Sequence, residues 1–310
     1  MNTASTESLH GVIPPLVTPI DDDGEVDRRS LEKLVAFQLD AGVHGVFLGG
    51  STGEVALLDG ARQRAALEVA VGVVAGAVPV LAGAIDTGTL RVVDQARRAQ
   101  ETGADAIVVT APFYVSPHPS EIVAHFRAVH DAIDVPVVAY DIPSATAVAV
   151  GAGVVCELAA SGTVVATKDS SGDFAGFRRI LREAPGLPAF TGSELFADSA
   201  VALGAAGIVP GLGNIDPHGY VRLYEAAKSG DLAAAAAEQD RLARLFDITT
   251  VADRGRIGHT ASALGSFKAA LSLRGAIANA ATLPPLAPLT GTELSAIRAI
   301  LDEVGLAQIE

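Results

Sequence analysis

One lysine and one tyrosine stand where they could act together in a chemical step. The chain has only four residues of each type; Lys168 directly follows the apolar segment 163–167, and Tyr140 ends the preceding apolar segment. The other three lysines lie in helical patterns. A lysine at the end of a strand is most often a solvated charge. An amine beside a phenol in surroundings of low dielectric, however, provides the nucleophile and the proton shuttle that Schiff-base chemistry requires.

A glycine-rich loop, GGSTGE over residues 49–54, follows another apolar segment. Its glycines make backbone N–H groups accessible, and Ser51 and Thr52 add two hydroxyl groups. The loop is not a phosphate-binding P-loop, because no lysine follows its glycines. A glycine-rich loop is a simple tight turn about as often as it is a binding loop. Beside Lys168, however, this loop would be suited to bind a small carboxylate. Glu54 could be a catalytic acid or a carboxylate at a helix N-terminus.

Eight short apolar segments recur along the chain, with helix-like segments between them. They are nearly continuous in hydrophobic residues, as expected of parallel strands covered on both faces. We predict strands at residues 12–17, 45–48, 80–84, 106–110, 137–140, 164–168, 189–191 and 207–209. Eight βα units indicate an α/β fold, the closed (β/α)8 or TIM barrel, with a doubly wound open sheet as the alternative. In such a barrel the active site lies at the C-terminal ends of the strands, where Tyr140 and Lys168 would meet.

Several of the intervening helices carry explicit start and stop signals. Residues 27–31 begin one helix that Gly42 ends, and residues 231–246 form an alanine-rich amphipathic helix. From Pro217 onward the chain is helical for longer than the eighth barrel helix requires. We therefore predict a barrel over residues 1–225 and a C-terminal helical appendage over residues 226–310 that packs on it.

Composition excludes several classes of protein. Hydrophobic residues make up 49% of the chain and charged residues 19%, which is enough for a large core. The formal net charge of −14 argues against nucleic acid or anionic lipid as a partner. The apolar segments 69–85 and 199–215 are short and contain glycine and proline, so we predict no membrane span.

Cysteine and histidine usage bears on compartment and metal. Cys156 is the only cysteine, which excludes an intramolecular disulfide framework and predicts a reducing compartment. The first ten residues lack the basic flank and apolar core of a secretion signal, so we expect a cytoplasmic protein. The seven histidines show no ligand pattern; His125 and His130, five residues apart, do not share a helical face well. We expect neither a metal nor another cofactor.

Three motifs together resemble a known family. GSTGE at residues 50–54, YDIP at 140–143 and KDSSGD at 168–173 follow the second, fifth and sixth predicted strands. This set resembles the pyruvate-dependent class I aldolases, the family that includes dihydrodipicolinate synthase and N-acetylneuraminate lyase. The resemblance extends from about Gly11 to about Gly275. It implies a Schiff-base enzyme, a carbon–carbon lyase, that acts on pyruvate or another 2-oxo acid.

The resemblance implies roles for the residues in these motifs. Lys168 would attack the 2-oxo group, Tyr140 would shuttle protons and Thr52 would relay them. The Ser51 hydroxyl and the backbone amides of Ser51 and Thr52 would hold the substrate carboxylate.

Three residues outside the motifs are also implicated. Gly192 after the seventh strand and Val209 near the eighth would line the pocket. In this family a tyrosine in the loop after the fourth strand crosses into the site of a neighbouring subunit, and Tyr114 matches it. The alternative for Tyr114 is an exposed loop aromatic. A donated tyrosine implies a homo-oligomer, which we expect to be a homotetramer, a dimer of dimers.

Two departures from the family bear on the substrate. Sialate lyases similar to this chain carry a glutamate where Leu195 stands, and dihydrodipicolinate synthases carry an arginine where Ala145 stands. That arginine holds the carboxylate of aspartate semialdehyde, which alanine cannot do. The resemblance therefore favours an aldolase that cleaves or forms a 2-oxo-3-deoxy sugar acid, with pyruvate as one half.

Three polar residues would then be available for the hydroxyl groups of a neutral hydroxyaldehyde: Ser170, Ser193 and Asp169. Dihydrodipicolinate synthase remains the alternative, because Arg254 or Arg256 could supply the missing cation from another loop. A deoxy-oxo sugar acid dehydratase would use the same Schiff base. A non-enzyme that only binds a 2-oxo acid is disfavoured by the joint presence of the lysine, the tyrosine and the threonine.

Overall fold

Eight parallel strands alternate with helices in the part of the chain that the structure, a computed structural model, describes: residues 9–306, 308 and 309. The strands are β1 (Gly11–Val12), β2 (Val46–Leu48), β3 (Val80–Ala84), β4 (Ala106–Thr110), β5 (Val137–Asp141), β6 (Ala166–Asp169), β7 (Ala189–Thr191) and β8 (Gly207–Ile208). The predicted lack of a secretion signal concerns mainly residues 1–8, which lie outside the described residues.

Helices follow each strand and continue after the last one. The helices of the barrel region are α1 (Arg28–Asp40), α2 (Gly60–Val74), α3 (Thr89–Thr102), α4 (Pro119–His130), α5 (Pro143–Thr146), α6 (Gly151–Ala160), α7 (Phe174–Glu183), α8 (Ala197–Ala202) and α9 (Pro217–Ser229). The C-terminal helices are α10 (Leu232–Phe246), α11 (His259–Leu273) and α12 (Gly291–Glu303). The predicted boundary after residue 225 falls within α9.

The strands close into a barrel. Hydrogen-bonded neighbours run in the order β1-β8-β7-β6-β5-β4-β3-β2. The seam between the two ends of this order is joined by a parallel bridge between Pro15 and Phe47. The N–H of Leu16 donates to the Phe47 carbonyl at 2.8 Å, and the Phe47 N–H donates to the Pro14 carbonyl at 3.0 Å. The (β/α)8 prediction is confirmed, and the open doubly wound alternative is wrong.

The first strand is shorter than the apolar segment predicts. Regular pairing covers Gly11–Val12 rather than residues 12–17, because Pro14 and Pro15 have no N–H group to donate to a ladder. The sixth strand begins at Ala166, two residues later than predicted, and ends at Asp169. This end brings Lys168 and Asp169 into the sheet at its C-terminal edge.

The core has two layers, one inside the barrel and one between the barrel and its helices. The inner layer consists of buried side chains from nearly every strand, among them Ile13, Phe47, Leu81, Val138 and Phe190. Each such side chain contributes about 1.5–3 kcal/mol through its burial. The inner layer fills the barrel except for a space of about 10 Å³, and a much larger cavity lies above it, at the C-terminal ends of the strands.

Aspartate caps fix where several helices begin. The side chains of Asp27, Asp173 and Asp231 accept hydrogen bonds from the first turns of α1, α7 and α10. Such caps stabilise a helix by about 1 kcal/mol. The predicted start of the helix at residue 231 therefore corresponds to its capping residue.

Candidate active site

Lys168 and Tyr140 are direct neighbours across two strands. The register of β5 and β6 pairs their Cα atoms, and the next strand, β7, pairs Phe190 with Lys168. The Lys168 Nζ lies 4.1 Å from the centroid of the Tyr140 ring and 5.3 Å from that of Phe47. As predicted, the Lys168 amine and the Tyr140 phenol thus lie next to each other at one end of the barrel.

The Lys168 side chain is buried among aromatic rings. Only 5% of the residue is exposed, and no carboxylate among the described residues lies within 4.0 Å of its Nζ. The amine is therefore not committed to a salt bridge, and it faces the cavity above the inner core.

The loop at residues 49–54 lies against Tyr140. The Ser51 Oγ is 3.3 Å from the Tyr140 hydroxyl, and Thr52 is 8% exposed. The Thr18 hydroxyl donates to the Gly53 carbonyl at 2.9 Å and holds the end of the loop. Two hydroxyl groups and the phenol thus form one polar edge beside the amine.

A cavity of about 310 Å³ opens above Lys168. Of the predicted site residues, seven line it: Ser51, Thr52, Tyr140, Lys168, Ser170, Gly192 and Val209. Ile142, Ser144 and Ala145, which follow β5, form part of the wall. The volume suits a small organic acid with room for a second, polar half.

Three predicted residues lie outside the cavity lining. Ser193 follows β7, and its N–H donates to the Thr191 hydroxyl at 3.1 Å. Tyr114 is 95% exposed and has a φ of 65°, in the left-handed region. Asp169 is not part of the lining either, and its carboxylate accepts the Ser171 N–H at 2.7 Å.

Glu194 is a cavity residue to which the sequence analysis assigns no role. Its carboxylate accepts the N–H groups of Gly211 at 2.9 Å and Leu212 at 3.3 Å. Burial raises the pKa of Glu194, whereas these hydrogen bonds and the positive charge of Lys168 act in the opposite direction. A methyl group on Gly211 would lie 3.1 Å from the Glu194 Oε1 and 3.3 Å from the Thr52 Oγ1, so the oriented Glu194 carboxyl group lies near the glycine-rich loop.

The C-terminal region supplies a large part of the cavity wall. Phe246 at the end of α10, Thr249, and the α11 residues His259, Thr260 and Phe267 all line the cavity, together with Ala263 and Leu264. These residues were not predicted from the sequence, because a helical pattern alone does not indicate which face of a C-terminal helix covers the barrel.

The two arginines considered for the missing cation differ in their contacts. Arg256 donates to the Pro288 carbonyl at 2.9 Å and to Glu293 at 2.5 Å. The guanidinium of Arg254 lies 3.2 Å from the Nδ1 of His259, which lines the cavity. No arginine lines the cavity within the described part of the chain.

Glu54 is not a carboxylate at a helix N-terminus, which was one of the two roles considered for it from the sequence. No helix begins at this residue, since α2 starts at Gly60 after the cap Asp59. Instead, the buried Glu54 carboxylate pairs with the buried ammonium of Lys268 on α11.

Neither a metal centre nor a membrane-spanning helix is found among the described residues. There, no group of three or more histidine, cysteine, aspartate or glutamate side chains is arranged to hold a metal ion. No helix there is both long and apolar enough to cross a membrane.

Solved structures resemble this chain over nearly its whole length. YagE, an E. coli prophage protein of the dihydrodipicolinic acid synthase family solved in complex with pyruvate, matches with a TM-score of 0.89 and 27% identity, covering 96% of this chain and 99% of that one. Dihydrodipicolinate synthase from Aquifex aeolicus matches with a TM-score of 0.88 and 27% identity, covering 97% and 100%.

Sequence relatives agree with these structures. A DapA-like lyase of Halobacterium salinarum, itself uncharacterized, is 35% identical over 96% of this chain and 95% of its own length. The 4-hydroxy-tetrahydrodipicolinate synthase of Gluconacetobacter diazotrophicus is 32% identical over 97% and 99%. The profile of the dihydrodipicolinate synthetase family matches residues 8–304. The chain belongs to this family and is a pyruvate-dependent enzyme of its carbon–carbon lyase class.

Proposed function

We propose that the protein is a Schiff-base aldolase that cleaves or forms a 2-oxo-3-deoxy sugar acid, with pyruvate as one half. The observation that carries this proposal is the pairing of Lys168 with Tyr140 at the floor of the cavity, with the amine 4.1 Å from the phenol ring. No cofactor takes part in the proposed reaction.

The first half of the reaction forms the imine. The unprotonated Nζ of Lys168 adds to the C2 carbonyl of the 2-oxo acid to form a carbinolamine. Tyr140 donates a proton to the carbinolamine hydroxyl, which leaves as water, so that an iminium ion and a Tyr140 phenolate remain. Ser51 and the amides of Ser51 and Thr52 hold the adjacent carboxylate. Hydrogen-bond donors fixed in advance at this position stabilise the bound acid without reorganisation during the reaction.

The second half breaks the carbon–carbon bond. The C4 hydroxyl gives its proton to Tyr140, the C3–C4 electrons move into the iminium as an enamine, and an aldehyde departs. The enamine then takes a proton at C3, and water releases pyruvate and restores the amine. The contact of Tyr140 with Ser51, and Thr52 beside it, provide the path by which this proton is relayed.

The cavity wall supports a neutral hydroxyaldehyde as the other half. Ala145 stands in the wall without a charge, and Ser170, Thr249, Thr260 and Glu194 offer hydrogen-bond partners for hydroxyl groups. Of the three residues expected to bind these hydroxyl groups, Ser193 and Asp169 lie outside the lining, so in this proposal Ser170 keeps its role and Glu194 is added.

Dihydrodipicolinate synthase activity is the second candidate. Relatives at 32% identity carry the name 4-hydroxy-tetrahydrodipicolinate synthase, and Arg254 beside His259 is a cation at the rim of the cavity. In that case Arg254 holds the second carboxylate of aspartate semialdehyde. A dehydratase of deoxy-oxo sugar acids uses the same imine and is distinguished by its product.

In the proposed assembly, Tyr114 contributes its side chain to the active site of a partner subunit. Its high exposure and left-handed backbone present the phenol away from its own barrel. We propose a homotetramer built from dimers in which each Tyr114 reaches the site of the other subunit.

Two experiments test the proposed function. Borohydride reduction in the presence of pyruvate is expected to add one pyruvyl group to the wild-type chain, measured by intact mass, and none to Lys168→Ala. A comparison of kcat/KM for pyruvate with glyceraldehyde and with aspartate semialdehyde is then expected to favour glyceraldehyde. A clear preference for the semialdehyde would establish the second candidate, and an adduct on Lys168→Ala would reject the assigned nucleophile.

A further inference from the structure

A buried ion pair joins the glycine-rich loop to helix α11. Lys268 is fully buried and Glu54 is 2% exposed, and their side chains form a salt bridge. The Lys268 Nζ also donates to the Ala281 carbonyl at 2.8 Å, and the second oxygen of Glu54 accepts the Leu283 N–H at 3.0 Å. Removing charged groups from water is energetically costly, and a buried ion pair offsets this cost only when additional hydrogen bonds satisfy both partners. The pair therefore ties three separate segments of the chain together.

The backbone of Glu54 is held in an unfavourable conformation by these contacts. Its φ is 62°, in the left-handed region that residues other than glycine rarely adopt. Strained residues persist where the surrounding contacts determine them, and they cluster at functional sites. Glu54 directly follows Ser51, Thr52 and Gly53, so its conformation sets the direction in which the loop leaves the cavity.

Helix α11 also forms the wall of the cavity. Phe267, the residue before Lys268, and Leu264, one turn earlier, both line it. Helix α11 thus lines the cavity with several side chains and contacts the glycine-rich loop through Lys268.

We propose that Lys268 is a positioning residue for pyruvate, which acts through Glu54 to fix the loop whose Ser51 and Thr52 hold the substrate carboxylate. This inference rests on the proposed function. Without the ammonium, the Glu54 carboxylate loses its buried partner and turns toward solvent, and the backbone at Glu54 leaves the left-handed region. Ser51 and Thr52 then move, and a displacement of about 1 Å is enough to weaken such a site strongly.

The test measures imine formation as a function of pyruvate concentration. Borohydride trapping on Lys168 gives a half-saturating pyruvate concentration and a maximal extent, and neither depends on the identity of the aldehyde. For Lys268→Met we expect the half-saturating concentration to rise about tenfold or more, with full trapping at saturation, because the nucleophile is untouched. Glu54→Gln is expected to have the same effect.

A double variant and a matched control separate positioning from stability. Glu54→Gln/Lys268→Met leaves no unpaired buried charge and is expected to fold, yet to keep the raised half-saturating concentration. Leu158→Ala removes a fully buried side chain of α6 away from the cavity, and is expected to lower Tm with an unchanged trapping curve. Any single variant that does not fold is replaced in the comparison by the double variant.

The outcomes distinguish this inference from the proposed function. If the wild-type chain is not trapped by pyruvate, the proposed function is wrong. If it is trapped but the double variant has the wild-type curve, or Leu158→Ala shifts the curve equally, Lys268 is structural only.

Discussion

A methyl group on Gly192 would lie 2.0 Å from the Oγ of Ser170, so these two residues leave no space for a side chain at the end of β7. The same methyl group would lie 3.1 Å from the Cε of Lys168. We expect Gly192→Ala to displace both side chains and to lower kcat/KM by about 10²-fold. Steady-state kinetics would measure this loss.

A helical glycine provides the control for Gly192. Gly72 on α2 has open space around the position of a Cβ, so Gly72→Ala is expected to keep wild-type kinetics and to gain about 0.5–1 kcal/mol in stability. Unchanged kinetics in Gly192→Ala would mean that the end of β7 is more yielding than its contacts indicate.

Removal of the Tyr140 hydroxyl should slow turnover and spare imine formation. Tyr140→Phe keeps the ring that faces Lys168 but loses the proton carrier, so we expect kcat to fall by about 10²–10⁴-fold. Borohydride trapping with pyruvate should remain measurable. Tyr224→Phe on α9 is the matched control with wild-type turnover; wild-type turnover in Tyr140→Phe would reduce Tyr140 to packing.

Complementation between two inactive chains tests whether Tyr114 is shared. Lys168→Ala and Tyr114→Ala chains are refolded together; each hybrid dimer then contains one site with an intact lysine from one chain and an intact tyrosine from the other. Random pairing predicts about a quarter of the wild-type activity. Sedimentation should show the tetramer, and a fully active monomer would contradict the proposal.

A single substitution at Ala145 should change the preferred aldehyde. Ala145→Arg places a guanidinium in the cavity wall, and a charge-assisted pair with the second carboxylate is worth about 1.5–3 kcal/mol. We expect kcat/KM for aspartate semialdehyde to rise about 10- to 100-fold. Arg254→Ala is the companion variant: if it abolishes a wild-type preference for the semialdehyde, the rim arginine already performs this role.

Buried His125 should make stability depend on pH. Burial lowers its pKa from 6.5 to about 4, and the neutral ring contacts the Thr89 hydroxyl at 2.9 Å. The unfolded chain binds the proton at a higher pH than the folded chain, so the contribution is complete above pH 6.5 and is lost as pH falls to about 4, by about 3 kcal/mol. Urea unfolding across this range should show a shallower slope for His125→Gln; equal slopes would assign the acid sensitivity elsewhere.

The barrel could be predicted because its strands are buried on both faces. Such strands are continuous apolar segments, and the helix starts at Asp27 and Asp231 carry capping residues that local sequence reveals. The first strand was mispredicted at its end, because hydrophobicity does not register the missing N–H groups of Pro14 and Pro15. Strand ends therefore depend on hydrogen bonding that composition does not encode.

Some residues of the site could likewise be predicted from local sequence, whereas others depend on contacts between residues far apart in the chain. Lys168, Tyr140 and the 49–54 loop all end strands, so chain order alone brings them to one edge. Glu194 and Lys268 act through contacts with residues 17 or more positions away, Gly211 in one case and Glu54 in the other. Only the folded chain identifies such partners, because the helical sequence pattern around Lys268 does not indicate which residues its side chain contacts.

The cavity lining comes from two parts of the chain, the strand ends and the C-terminal region, and these can differ in how freely their sequences vary. In the proposed reaction, the strand ends contact the half of the substrate that becomes covalently attached, and Thr249, His259 and Thr260, which line the cavity, surround the space for the aldehyde. The proposal therefore predicts that variation in these three residues redirects the enzyme to new aldehydes while its chemistry stays intact. Exchanging the whole helix between relatives, in contrast, succeeds only if residue 268 continues to match residue 54.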